Sequence, residues 1–531
     1  MNRNSFFSVA ATALLAFLLS LAPLSGKAQM RRPVRGDCTP GIADTPESTP
    51  STRSATTKRR LPAPRKKWDP DKVYKQLVIL VSYSDVDFVS DDPRDLYDKM
   101  LNLHGYNEGL GRGCLADYFR EQSGGLFNVE FDVFGPYKLS TKANPYSNPN
   151  ANTRNYGTTG FRKAAEMMIA ENREHNFSVY DWDDDNYIDQ VIFVSAGLAG
   201  NQLEESWGYL WPNTLTFSAV TCPDGRKIVD YNASAELWQS GASFGIGTIA
   251  HEYSHSLGLP DIYPTANSTF YSVCDEWDIM DGGNFTNFGW CPPNYTAQEK
   301  IYLGWLTPTE LTTSTTITGM KPISEGGETY IVKNTDNEYL LLENHQFSGW
   351  DAGLPGHGLL ITHVDFNTTS WSNNAVNNST AHFRHDIVHA DNLHYEAWED
   401  IANNRGLTSW ADTENRVHRY HLSTSAYPWT TDSTSTVNNE LSSTSVPALQ
   451  WYNTKAQAGN SFHLAITDIQ QASDGTISFN FIKDPIDMGI VHATPDASPS
   501  ALWYTLEGRR LTTRPTAKGV YIHRGKKIVV K

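Results

Sequence analysis

The stretch Ile249-Ala250-His251-Glu252-Tyr253-Ser254-His255-Ser256-Leu257-Gly258-Leu259-Pro260-Asp261 decides how this chain is read. On a helix, His251 and His255 stand one turn apart and face the same way. Two imidazoles so placed can bind one Zn²⁺ at about 2.0–2.1 Å. Ile246, Ile249, Ala250, Tyr253 and Leu257 supply the apolar surface that buries the rest of the helix. Gly258 lets the chain leave the helix through φ > 0. That turn carries Asp261 back toward the metal as a third ligand and leaves the fourth position to water, the catalytic arrangement. Zinc lowers the pKa of such a water toward about 7, and Glu252 is placed to take its proton as general base. The bland alternative is a helix with two incidental histidines; Gly258 and Asp261 at fixed spacing argue against it. A different zinc layout would draw its third ligand from further on, at Glu276 or Glu299.

Around this motif the pattern mixes helices and strands. The apolar run Gln76–Val81 predicts a buried strand. Residues 110–122 predict a helix ending near Ser123-Gly124-Gly125, and Phe127 to Leu139 alternates as a strand with one exposed face. Phe161, Ala165, Met168 and Ile169 form one stripe of a helix over 160–174, and Val191–Val194 predicts another buried strand. Intermixed elements of this kind suggest an α/β or α+β domain. After Trp305 the texture changes to short apolar runs such as Thr329–Val332, Leu340–Leu342 and Leu359–Ile361, separated by Gly, Pro, Asn and Thr. The expected plan is a leader over 1–28, a basic propeptide or linker over 29–70, a catalytic domain over 71–310, a β-rich domain over 311–485 and a short β-like tail over 486–531.

The 531 residues carry a formal net charge of −16, which argues against non-specific nucleic-acid binding. The charge is uneven. Residues 27–67 hold 11 Lys/Arg against 3 Asp/Glu, whereas everything after residue 67 holds 31 basic and 56 acidic residues. A short basic segment thus precedes an acidic body to which it can dock. Arg3, the apolar run Phe6–Leu19 and the small-x-small site Gly26-Lys27-Ala28 read as a secretory signal peptide, with an N-terminal anchor as the alternative. No later segment has the ~18 apolar residues a membrane helix needs. Arg59-Arg60 and Lys66-Lys67 are basic pairs open to a processing protease. Cys38, with Asp37 beside it, offers a metal ligand for a latent form, against the plainer reading of an incidental Cys in a linker. Of the remaining four cysteines, Cys274 and Cys291 bracket one short region and are the first choice for a disulfide.

Asp181, Asp183, Asp185 and Asp189 occupy positions 1, 3, 5 and 9 of a calcium loop, with Tyr187 offering a backbone carbonyl at position 7. Asn186 sits where such a loop turns sharply, and Asn tolerates the left-handed region. A structural Ca²⁺ ahead of the strand at Val191 is expected, against a solvated acidic turn. His357, His363 and Asp365 flank a strand-like run and read as structural. His382, His385 and His389 would share a helix face but lack a ligand turn, so they read as surface or supporting residues. Tyr263, Tyr271 and Tyr295 are nearby candidates for stabilising a transition state.

The extended motif resembles that of metzincins, with Asp261 where most have a third His, and Trp277–Gly283 resembles their Met-turn, which implies Met280 packed beneath the metal. Other pieces resemble the immune inhibitor A family of secreted bacterial metallopeptidases: Leu77–Val81, Asp117–Gly125, Leu210-Trp211-Pro212, Lys300–Trp305, Glu343–Gln346 and Leu354–Leu360. This resemblance spans roughly residues 75–485. It implies a metzincin-like α+β zincin catalytic domain followed by a β-rich domain, acting as a secreted zinc endopeptidase on protein or peptide substrates. Trp503–Arg510 and Lys518–Lys531 resemble the end of type IX secretion sorting domains, which implies secretion machinery as a partner and a diderm bacterial surface or exterior as destination. The competing expectation is a non-catalytic surface adhesin that kept the fold; an intact Glu252 argues against it.

Overall fold

In a computed structural model, the described residues are 61–64, 67–150, 153–202, 204–238, 240–266, 272–379, 381–393, 422–430, 437–453, 464–483, 503–505, 510–511, 513–523 and 526–530. The signal-like segment, Asp37, Cys38 and Tyr271 lie outside them.

The first unit is built on a five-stranded sheet in the order β2-β1-β3-β5-β4: β1 Val73–Ser82, β2 Asn128–Lys138, β3 Val191–Leu198, β4 Asn213–Thr221 and β5 Lys227–Leu237. Neighbours β2, β1, β3 and β5 run parallel, and only the edge strand β4 is antiparallel to its partner. A parallel strand covered on both faces needs apolar side chains on both, and β1 supplies them. Val78 and Leu80 enter one core, which also holds α1 Pro93–Asn102, α2 Leu115–Gln122 and the motif helix. Leu77, Ile79 and Val81 enter the core on the opposite face, with α3 Thr158–Glu171. The expected strands at 76–81, 127–139 and 191–194 and the helices near 110–122 and 160–174 therefore form, within a few residues at their ends.

The motif forms helix α4, Gly247–Ser256. Ile249, Ala250, Tyr253 and Leu257 are buried in the first core. Tyr253 packs on Phe119 and Phe127, and its hydroxyl donates to Gln76 Oε1 at 3.0 Å. The next helix, α5 Ala297–Leu303, opens on a capping box in which Glu299 Oε2 accepts from the Thr296 backbone N–H and hydroxyl.

Two further sheets follow. One has the order β11-β10-β9-β8-β6: β6 Thr309–Glu310, β8 Tyr330–Lys333, β9 Glu338–His345, β10 Gly358–Asp365 and β11 His385–Ile387. β12 Trp429–Thr430 and β13 Val437–Asn438 pair with each other, and the other sheet has the order β14-β15-β16-β7: β7 Thr315–Met320, β14 Leu441–Ser442, β15 Leu464–Gln471 and β16 Ile477–Lys483. Strand alternation splits β9 between two cores: Leu341 packs into the core of the motif helix, whereas Leu340 and Leu342 face the core shared with β15 and β16. The C-terminal residues add a separate four-stranded antiparallel sheet, beginning with Trp503–Thr505 and ending with Lys526–Val530.

Two expectations are corrected here. Cys274 and Cys291 are not bonded to each other: both are free and buried, as are Cys114 and Cys222. Cys291 Sγ faces the Trp350 carbonyl, while Cys274 Sγ points toward that of His385. The His382–His389 stretch is not a helix, because His385 belongs to β11, and both His385 and His389 are buried rather than on the surface. His363 is structural, as expected, and its ring Nε2 lies 3.0 Å from Glu338 Oε1.

Glu338 is fully buried and accepts four hydrogen bonds, from His363, Asn334 and the backbone N–H groups of Tyr452 and Asn453. Burial alone would raise its pKa, but these donors outweigh that and bring it down to about 2. A depressed carboxylate stabilises the fold fully above its unfolded pKa near 4.5 and loses that contribution as pH falls toward 2. The shift corresponds to roughly 3 kcal/mol. Glu338→Gln is expected to flatten the pH dependence of the melting temperature between pH 5 and 3, read by calorimetry; an unchanged slope would refute the account.

Candidate metal centre

The C-terminal end of α4 is where the motif residues converge. His251 Nε2 and His255 Nε2 each lie 3.3 Å from Asp261 Oδ1. All three side chains are at most 1% exposed. None of these three atoms makes a hydrogen bond, which for buried polar groups is costly unless an ion or other partner joins them. Two imidazole nitrogens and one carboxylate oxygen form a donor set that suits zinc. The structure thus brings together His251, His255 and Asp261 as one group of possible ligands. Glu276 and Glu299 are not in that group; Glu299 is occupied at the start of α5.

The other atom of each side chain is held in place. His251 Nδ1–H donates to the Ile279 carbonyl at 2.7 Å and His255 Nδ1–H to the Leu259 carbonyl at 2.8 Å. These bonds select the tautomer that turns Nε2 toward the ion, the usual support for a ligating His. Asp261 is gripped twice by Asn374: Nδ2 donates to Asp261 Oδ2 at 2.6 Å, and Oδ1 accepts from the Asp261 backbone N–H at 2.6 Å. The flanking His residues pull the Asp261 carboxyl well below the usual range, against the upward push of burial.

Gly258 makes the turn that the spacing requires. Its φ is +105°, and a Cβ there would come within 2.7 Å of the Pro62 carbonyl. The Met-turn-like segment backs onto the site through its main chain: the Ile279 carbonyl holds His251, and the Met280 carbonyl accepts from Ile262 N–H at 2.8 Å. Met280 itself is fully buried.

Glu252 is buried next to the ligands, and Thr214 on β4 donates to its Oε2 at 2.9 Å. Thr214 and Asn374 are the two residues that sequence reasoning missed. Asn374 lies 113 residues beyond Asp261, in a stretch with no ligand-like signature. Of the tyrosine candidates, Tyr295 is fully buried and shares a hydrogen bond with Ser254, and Tyr263 is buried.

A cavity of about 360 Å³ adjoins this centre, lined among others by Thr214, His255, Leu257, Asp183 and Asp189. Leu61, Pro62 and Ala63 from the basic leader line it too. In the acidic loop, Asp181, Asp183 and Asp185 bring carboxylate oxygens within 4.8 Å of one another. Asn186 adopts φ +69°, the left-handed turn expected of it. Asp189 instead accepts the Trp182 backbone N–H, and the Tyr187 N–H donates to Asp185 Oδ1 at 2.7 Å. Arg226 Nε already donates to Asp181 Oδ2 at 3.0 Å.

Removing the Asn374 clamp frees the candidate third ligand, Asp261, to rotate. Asn374→Ala is expected to weaken zinc affinity about 10–100-fold, measured by competition with a chelator, with the fold retained. Wild-type affinity would show that Asp261 needs no such support.

Comparison with known families falls on the same stretch. Residues 228–305 match the catalytic-domain model described as immune inhibitor A peptidase M6. The chain is 25% identical over 286 residues to immune inhibitor A of Bacillus thuringiensis subsp. alesti, covering 45% of this chain and 41% of that protein. It is 22% identical over 249 residues to the pre-pro-metalloprotease PrtV of Vibrio cholerae serotype O1 (strain M66-2), covering 41% of this chain and 26% of that one. The chain thus spans well under two thirds of the length of these curated relatives. The matched segment holds nearly all of β5, together with α4, Asp261, Met280 and α5, so His251, Glu252, His255 and Asp261 lie in the part of the chain that is similar to that catalytic domain, whereas Thr214 and Asn374 lie outside it.

Proposed function

We propose that this chain is a secreted zinc-dependent endopeptidase, with His251, His255 and Asp261 as metal ligands and Glu252 as general base. The observation that carries the reading is the convergence of two His nitrogens and one Asp oxygen, all buried and without hydrogen bonds, beside a buried Glu. Zinc supplies Lewis-acid activation of water and of the scissile carbonyl when bound. Glu252 accepts the proton of the attacking water and passes it to the leaving amine. Thr214 fixes the carboxylate through its hydroxyl, so Glu252 meets the water in one orientation. Thr214 also ties the base to β4, the outer strand of the sheet. An extended peptide pairing with that edge would lie across the centre, the mode by which sheet edges bind peptides. This favours protein or peptide substrates over small esters.

The leader bears on control. Leu61–Ala63 line the cavity beside His255, and the Pro62 carbonyl approaches Gly258 at the end of the motif turn. Cleavage after Lys66-Lys67 would release this segment and widen the approach, which makes the chain a zymogen. The acidic loop at the rim offers structural Ca²⁺ the carboxylates of Asp181, Asp183 and Asp185, with Tyr187 and Asp189 as the further ligands the loop spacing suggests once Arg226 gives up Asp181 and Asp189 turns from Trp182. Among the described residues no helix is long and apolar enough to cross a membrane. Export by type IX machinery remains the reading of the C-terminal sequence.

Glu252→Gln keeps size but not basicity. It is expected to retain zinc and lose about 10²–10⁴-fold or more in peptide hydrolysis, whereas His255→Ala should lose metal as well. Near-normal turnover in Glu252→Gln, scored on a peptide library after leader removal, would overturn the base assignment.

Calcium has a separate readout. Removing calcium with zinc restored is expected to lower the melting temperature, because a ligand specific for the folded state at a hundred times its Kd contributes about 2.7 kcal/mol. Asp183→Asn with Asp185→Asn should abolish that difference; a melt insensitive to calcium in the wild type would leave the loop as a solvated turn.

A further inference from the structure

A second cluster of metal-type donors lies behind the first. Cys274 Sγ, Asp278 Oδ2 and a ring nitrogen of His385 fall within 4.8 Å of one another, and all three residues are at most 1% exposed. His385 Nε2 stands 4.0 Å from Asp278 Oδ2. Both ring nitrogens of His385 lack a hydrogen-bond partner, as does Asp278 Oδ2. A neutral imidazole always carries one donor and one acceptor nitrogen. Burying both unsatisfied is costly, and nothing in the Glu252 chemistry requires it.

We propose that Cys274, Asp278 and His385 bind a second, structural zinc ion. The donor set decides the metal class. Thiolate and imidazole select zinc over calcium or magnesium, which take oxygen ligands. Bond lengths of about 2.3 Å for sulfur and about 2.0–2.1 Å for nitrogen put tetrahedral donors roughly 3.3–3.7 Å apart. Each donor then moves inward by less than about 1 Å. The thiol loses its proton on binding, as metal coordination of Cys requires.

The remaining atoms of these residues are already positioned. Asp278 Oδ1 accepts the Met280 N–H at 2.7 Å, and the neighbouring Glu299 carboxylate is anchored by Thr296. The Cys274 N–H donates to Asp281 Oδ2 at 2.9 Å, and the His385 carbonyl accepts from Asn377 Nδ2 at 2.8 Å. The ion would clamp the loop around Trp277 to β11, which comes from the β-rich half of the chain. That loop carries the Ile279 carbonyl, next to Asp278, which holds His251. The second ion thereby supports the geometry of the first.

Sulfur separates the two sites spectroscopically once Cys38 of the leader is replaced by Ser, since the centre of His251, His255 and Asp261 then has none. Full-length Glu252→Gln protein that also carries Cys38→Ser, loaded with cobalt in place of zinc, should show a thiolate-to-cobalt charge-transfer band in the near ultraviolet. Cys274→Ser should abolish that band and keep the visible cobalt bands of the first site. Metal analysis should find two zinc ions per chain, falling to one in His385→Ala and to a different one in His255→Ala. A single zinc that disappears in His255→Ala, with no charge-transfer band in the Cys274-containing protein, overturns this proposal and leaves the peptidase centre standing. A single zinc that survives His255→Ala, accompanied by the band, supports this site and refutes the first. The band is read on protein with its native Cys274, so a misfolded variant does not blunt the test.

Discussion

Burying His251, His255 and Asp261 almost completely is the constraint on which the rest of the structure depends. Each residue presents one atom to a common point and must satisfy its other polar atom within the protein. The Leu259 carbonyl does so from within the motif turn, the Ile279 carbonyl from the loop behind it, and Asn374 from far along the chain. A shift of any one leaves a buried group unpaired at a cost of about 1–3 kcal/mol. Three separate segments are therefore locked to one another by the requirements of a few ångströms around Asp261.

What could be read from the sequence was what local spacing dictates. The i, i+4 histidines and the glycine turn are properties of thirteen consecutive residues, so their geometry follows from helix pitch and backbone sterics. The strands at β1 and β3 were legible because strands buried on both faces are continuously apolar. Asn374 and Thr214 were not legible, since an Asn or Thr becomes important only through whatever the fold places beside it. The His382–His389 stretch misled for a related reason: three- and four-residue spacings imply one face only if the chain is helical, and here His385 lies in a strand. Cys274 and Cys291 are close in sequence, but their side chains look toward different neighbours, which spacing alone does not record.

The edge position of β4 links architecture to chemistry. In a sheet otherwise parallel, this outer strand is antiparallel and carries Thr214, which grips Glu252. The strand that could present backbone groups to an extended chain is thus the strand that orients the base. On the proposed mechanism, binding and proton transfer would share this one element.

The change of texture after Trp305 marks where strands take over, but packing runs across it. Leu341 of β9 shares a core with α4, and its neighbours Leu340 and Leu342 share another with β15 and β16. Alternation along a single strand therefore joins the two halves, and no plane separates them without exposing one side of β9. The polar contacts follow the same course: Asn374, from the strand-rich half, holds a candidate ligand of the helix-bearing half. The β-rich unit is then more than an appended binding module, because its residues complete the environment of the centre. A chain cut at the change of texture would keep all three candidate ligands and Glu252, yet lose the side chain that orients Asp261.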